Sequence, residues 1–212
     1  MEGQFILKIG EKPETMIREN QRVYIKKGRI YDDPMPDFDA FVEIKNGECF
    51  IQSQNSYVEI PKPSNGEPYA YYIDTNLYEN ELSIGKSIVN FNLSNGNSKY
   101  ELYVKKRNLK LKVKGVPQNL DDVLLLSKNS KLFQFIGDNS IYGKHCYIGY
   151  DNHINAFFVI DYGSNGKGST NGTYVKMKNL KFQVRKHTIF RINYEATVNY
   201  TIELKPVISP NY

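Results

Sequence analysis

The stretch GKGSTNGTYVKM, residues 166–177, decides how this chain is read. Its Gly and Ser/Thr density suits a phosphate-cradling loop, but the residues that follow, Thr173-Tyr174-Val175, are strand formers. A nucleotide P-loop sets Gly-x-x-x-x-Gly-Lys-Ser/Thr between a strand and a helix, so that backbone N–H groups and a helix N-terminus face the phosphates. Here Gly168 follows Gly166-Lys167 where the metal-binding hydroxyl is required, and no amphipathic helix comes next. The nucleotide reading fails. What remains is a loop between two strands, with a tight Asn171-Gly172 turn of the kind that accommodates positive φ.

Outward from this loop the chain reads as short strands. HCYIGY and AFFVID precede it, and LKFQV, TIFRI and YTIEL follow. The first half has QFILKI, RVYIKK, AFVEIK, ECFIQS, SYVEI, KSIVNF and KYELYV, parted by turns such as Asn46-Gly47 and Asn95-Gly96. DVLLLS and KLFQFIG read as two further strands, and the one segment with helical character lies around Pro117 to Asp122. Short strands at this spacing predict an all-β, antiparallel sandwich architecture.

Composition agrees. The 212 residues are 40% hydrophobic and 24% charged, enough for one large or two ordinary domains, with 17 Tyr and 11 Phe to fill cores that lack Trp. A net charge of +5 permits an acidic or phosphorylated partner without requiring one. Cys49 and Cys146 stand far apart and suggest neither a disulfide framework nor a metal cluster. With no apolar run long enough for a signal peptide or a span, the expected location is intracellular, cytoplasmic or nuclear, and not secreted.

The two halves resemble each other. ETMIRENQRVYIKKG has the shape of DDVLLLSKNSKLFQFIG, and AFVEIKNGECFIQS that of HCYIGYDNHINAFFVID. ELSIGKSIVNF with SKYELYV parallels the closing pair FQVRKHTIFRI and VNYTIEL. A repeat this long means two copies of one domain, expected at residues 1–105 and 106–212, rather than a solenoid.

The run from Asp161 to Val175, with Asp-Tyr-Gly-Ser and then Ser-Thr-Asn-Gly-Thr-Tyr-Val, resembles the signature of the forkhead-associated (FHA) domain. The resemblance extends over about Asn108 to Val207, with a short insertion at Asn165 to Gly168, and the first half looks like a degenerate second copy. It implies two tandem FHA-like antiparallel β-sandwiches. It also implies a phosphothreonine site in the second, where a cation, a hydroxyl and a loop Asn receive the ligand. Those positions fall on Lys128, Tyr142 and Asn171, with Thr170 beside the Asn and Lys144 within reach. His145 takes a family position that holds the loops, and Gly172 completes the turn. In the first half, Arg18 falls near the position of Lys128, Phe41 replaces the histidine, and SQNSYVEI is a worn form of the loop.

Where the family has Arg and Ser, this chain has Lys128 and Tyr142. Lys lacks the planar fork that grips phosphate in bidentate fashion. The expectation is therefore a non-catalytic protein-protein interaction or scaffold module with an eroded phosphate site, the alternative being a phosphothreonine-peptide reader. The expected partner is a protein or phosphoprotein, with no cofactor and no membrane. No Ser/His/Asp or Cys/His set suggests catalysis, and Asp32-Asp33 and Asp121-Asp122 are neighbours that a strand would point to opposite faces. The alternating Lys110, Lys112 and Lys114 read as the wet side of a strand rather than a nucleic-acid surface.

Overall fold

The computed structural model describes residues 4–53, 55–62, 70–94, 99–106, 112–115, 117–134, 137–141, 143–163, 167–178, 181–193 and 199–207. It is nearly all-β and antiparallel, as the turn spacing predicts. The chain forms two compact units. One joins Met1–Val58 to Met177–Tyr212; the other is Glu59–Lys176.

In the first unit, β1 (Phe5–Ile9) pairs with β2 (Thr15–Ile17) on one side. On its other side lies the last strand of the chain, β20 (Asn199–Pro206), with Leu7 opposite Leu204. β20 continues to β19 (Thr188–Asn193) and then β7 (Ser56–Glu59). The facing sheet runs β4 (Arg29–Tyr31), β3 (Arg22–Lys26), β5 (Ala40–Lys45), β6 (Glu48–Ser53) and β18 (Phe182–Val184). Alternate residues point inward in the period-2 manner: Leu7 and Ile9, Val42 and Ile44, and Ile202 and Leu204 are all buried. Phe182 and Phe190 meet edge to face at 5.8 Å across the two sheets.

The second unit repeats this order with other strands. Its first sheet runs β12 (Lys112–Lys114), β11 (Lys99–Lys106), β10 (Ser87–Leu93), β9 (Tyr78–Ile84) and β17 (Thr173–Met177), with β13 (Gln118–Asn119) on β11. The other runs β14 (Leu124–Leu126), β15 (Cys146–Asp151), β16 (Ala156–Asp161) and β8 (Tyr71–Tyr72). Phe157 of β16 sits 4.8 Å from Phe91 and 5.8 Å from Tyr100, locking sheet to sheet. The single helix among the described residues, α1, is one turn at Lys131–Gln134 that buries Phe133.

Apart from β4 and β13, which have no counterparts, these orders match, with one consequence that the repeat does not reveal. The closing strands β8, β9 and β10 come from the first half of the sequence but complete the sandwich of β11–β17. The closing strands β18, β19 and β20 come from the second half and complete the sandwich of β1–β7. The units thus differ from the expected division at residue 105, and SKYELYV, matched by pattern to VNYTIEL, is β11, the counterpart of β1 rather than of β20. Because the two sets of closing strands are alike, either fits either sandwich by pattern, and packing makes the choice.

Two local readings also change. KLFQ is a helical turn rather than a strand, since Ser130 accepts bonds from Phe133 and Gln134 and starts a turn after β14. The segment Pro117 to Asp122 holds the short strand β13 and a turn instead of a helix.

Candidate functional site

The predicted site residues that the structure describes lie on three loops of the second unit: 127–130 after β14, 137–145 before β15, and 162–172 between β16 and β17. His145 laces them together. Its N–H donates to Leu126 O at 3.1 Å, fixing the second loop to the end of β14. Its own carbonyl accepts from Tyr162 N and Gly163 N at 3.1 and 3.0 Å. The ring is buried, and Nε2 lies 3.2 Å from Gly172 O. A carbonyl only accepts, so Nε2 carries the proton and donates.

The third loop is closed at its neck. Buried Asp161 accepts from Ser169 N at 3.1 Å and from the Thr173 hydroxyl at 2.9 Å, joining both ends of the loop. Gly168 N donates to Tyr162 O at 2.9 Å, and Gly163 forms a bridge with Gly168. Gly163 has φ of +61°, and a Cβ there would lie 1.9 Å from Gly168 O, so only glycine fits. Gly172, at φ +70°, also favours glycine, though there a Cβ would meet side chains that can move, Glu59 Oε1 at 2.5 Å and the Tyr174 ring at 2.7 Å.

At the tip of this loop Thr170 and Asn171 are exposed, and Asn171 Nδ2 donates to Ser140 O at 2.8 Å. Lys128, Lys144 and Lys167 are also exposed, Lys144 with its Nζ 5.9 Å from the centre of the Tyr162 ring. Tyr142 lies outside the described residues.

The sequence reading missed a clamp beneath the second loop. Buried Asp138 accepts from Lys86 N at 2.8 Å and the Ser87 hydroxyl at 2.6 Å on one oxygen. The other oxygen accepts from Ser140 N at 2.9 Å and the Ser140 hydroxyl. Burial pushes this carboxyl up, but the bonds from Ser140, Ser87 and Lys86 outweigh burial and hold it below its ordinary value. The turn Ile84–Ser87 between β9 and β10 is thereby tied to the loop that Asn171 touches. Its only sequence signal was a hairpin-like Gly85-Lys86 placed about fifty residues away, in the other half of the repeat.

The first unit has the same frame without the loops. Ile25 faces Ala40 as Leu126 faces Cys146, and Asp39 N donates to Ile25 O at 2.9 Å as His145 N does to Leu126 O. Asp39, rather than Phe41, therefore stands in the histidine place, and Lys27, rather than Arg18, matches Lys128. Lys26 is paired with Asp37 at 2.6 Å, and the Asp39 carboxylate accepts from Lys27 N. The interval that residues 162–172 occupy in the second unit is only residues 54–55 here.

Neither thiol is poised for chemistry. Burial pushes Cys49 up to about 12 and also raises Cys146, so both stay protonated near neutral pH. Among the described residues no group of three His, Cys, Asp or Glu is placed to hold a metal, and no helix is long and apolar enough to cross a membrane.

Residues 128–194 match the family model of the FHA domain. Residues 128–194 therefore carry an FHA domain, and FHA domains are phosphopeptide-binding protein-interaction modules. The match begins at Lys128, takes in all of the three loops but Ser127 and runs on through β18 and β19 of the first unit, and it reports no copy in the first half. No curated protein and no solved structure matches the chain.

Proposed function

We propose that the second unit reads phosphothreonine peptides of an intracellular partner protein, with Lys128 as the main phosphate cation, Asn171 and Thr170 as contacts to the peptide, Lys144 at the rim, and the Tyr142 hydroxyl as a further donor to the phosphate. The observation that carries this reading is the lacing of the three loops by His145, Asp161 and Asp138, which holds exposed Lys128, Lys144 and Asn171 on a fixed frame. A dianionic phosphate needs cations already in place, because ordering loose loops would consume much of a modest affinity. The first unit, with its short loop and its lysines beside Asp37 and Asp39, serves as a structural partner with no phosphate site.

A phosphate-independent scaffold is the second reading. The replacement of the family Arg and Ser by Lys128 and Tyr142 favours it, since lost charge-assisted bonds are each worth about 1.5–3 kcal/mol. Fluorescence polarisation against a degenerate phosphothreonine library and its unphosphorylated twin separates the two. Saturable binding of the phosphorylated pool alone, abolished in Lys128→Ala, supports the reader. Equal binding of both pools refutes it.

A further inference from the structure

We propose that the first unit carries a ligand site of its own, a cleft that takes the free carboxylate end of a partner polypeptide whose last residue is aromatic. The cleft has a volume of about 420 Å³ and lies between the β1–β2 turn and the β3–β4 turn. Gly10, Glu11 and Lys12 line one side, Lys27 and Gly28 the other, and Ile9 and Tyr200 complete the wall. The site is independent of the phosphothreonine reading, whose ligand lies on the second unit.

The walls are fixed by hydrogen bonds. One oxygen of the Asp39 carboxylate accepts from the Tyr200 hydroxyl at 3.0 Å and from Lys27 N at 2.6 Å, which sets the ring and the β3–β4 turn as one piece. Lys12 Nζ donates to Gly28 O at 2.6 Å and ties the two turns together. Gly10 N donates to Thr201 O at 3.0 Å, anchoring the β1–β2 turn on β20. Gly28 turns its bare Cα toward the wall: a Cβ there would lie 3.7 Å from Tyr200 Cγ and 3.8 Å from Ile9 Cγ2. At Gly10 a Cβ would meet nothing within 4 Å, so the space before it is open. An incoming ring therefore meets tyrosine, isoleucine and glycine surface that is already in place, and binding has little left to order.

Charge selects the other end of the ligand. Lys12 uses one of its three N–H donors on Gly28 O and keeps two for a ligand. Among the described residues neither Lys12 nor Lys27 makes an ion pair, whereas the adjacent Lys26 is paired with Asp37. Two ammonium groups against the Glu11 carboxylate leave one positive charge in excess. That balances a single carboxylate and falls short of the roughly two negative charges of a phosphate monoester. Charge-assisted bonds from Lys12 and Lys27 then hold the carboxylate, and the Tyr200 ring packs against the aromatic side chain. Because cations and apolar wall share one small cleft, both groups of the ligand belong to one residue. In a polypeptide only the last residue carries a carboxylate together with an apolar side chain.

The test titrates the intact, isotope-labelled chain by NMR with unphosphorylated peptides, so its outcome leaves the phosphothreonine reading untouched. The probes are Ser-Gly-Ser-Gly-Ser-Phe with a free C-terminus, the same peptide as its amide, the amide of Ser-Gly-Ser-Gly-Glu-Phe, and a free-ended peptide with Ser in place of Phe. The first is expected to shift the Gly10 and Gly28 amide signals saturably. The simple amide should bind at least about tenfold more weakly for want of the charged group. The Ser-ending peptide should be weaker by about the same factor for want of the ring. Lys27→Gln, which keeps the bond from Lys12 to Gly28 O, should weaken the first peptide about fivefold, and Lys45→Gln should leave it unchanged. The site is overturned by any of three results: no saturable shift at Gly10 and Gly28, equal binding of the free Phe and Ser ends, or a Lys27→Gln chain that binds like wild type. Equal binding of the free Phe end and either amide overturns the terminal carboxylate as the ligand.

Discussion

Asp138→Asn is the sharpest probe of how the loops around His145 are held. The carboxylate offers two oxygens to four donors, two of them backbone N–H groups that cannot turn away. The amide keeps one oxygen and sets an NH2 against the other pair. Its best orientation points the NH2 at Lys86 N and Ser87, where the Ser87 hydroxyl can rotate to accept and Lys86 N can lean on the Ser140 hydroxyl. Charge assistance is then lost throughout and one N–H is left poorly paired, a cost of about 2 kcal/mol. For a chain of this size the melting midpoint of the affected unit should fall by about 4–8 °C at neutral pH, measured by calorimetry. The pH dependence carries the sign. The folded carboxyl titrates below its ordinary value, so its contribution is present above the unfolded carboxylate pKa of about 3.9 and is lost as pH falls through the lower folded value. The gap between wild type and variant should therefore narrow in acid. A shift under about 1 °C at pH 7, or a gap that does not close at low pH, would refute the clamp.

Gly163→Ala should cost at least about 2 kcal/mol, since the new methyl meets backbone on φ +61°. Gly10→Ala, with φ +55° and open space, should cost only about 1 kcal/mol in a parallel denaturant titration. His145→Ala should lose about 3 kcal/mol by emptying a buried site and freeing Gly172 O, and peptide affinity should fall with it. Strand exchange is checked with Ile6→Cys and Lys205→Cys, which face each other across β1 and β20. After oxidation and a cut engineered between Lys106 and Lys112, the two fragments should run as one species on a non-reducing denaturing gel, and separate fragments would contradict the exchange.

Much of the frame was legible because it is local. Period-2 runs such as FILKI and AFVEIK alternate apolar and polar side chains, and a strand buries one face whatever its partner. The loop Ser169 to Thr173 was legible for a similar reason, since Asn-Gly and its hydroxyl neighbours suit one backbone shape. KLFQ was misread because two apolar residues between two polar ones fit strand and helical turn equally, and the bonds back to Ser130 settle the matter only in the fold. Phe41 was aligned with the histidine by spacing alone, whereas the bond from Asp39 N to Ile25 O sets the true register two residues earlier. Asp138 and Lys86 escaped notice because their partnership joins residues about fifty positions apart.

By itself, then, the sequence determined the class of fold, the repeat and the loop that carries the FHA signature, all properties of short windows and their recurrence. It left open which closing strands complete which sandwich. The repeat makes the triplets β8–β10 and β18–β20 interchangeable in pattern, so alternation of apolar residues cannot choose between them. Only tertiary packing decides it, through contacts such as Phe91 against Phe157, Leu7 opposite Leu204, and Ser87 on Asp138. That choice brings a turn from one half of the chain to the recognition loops of the other.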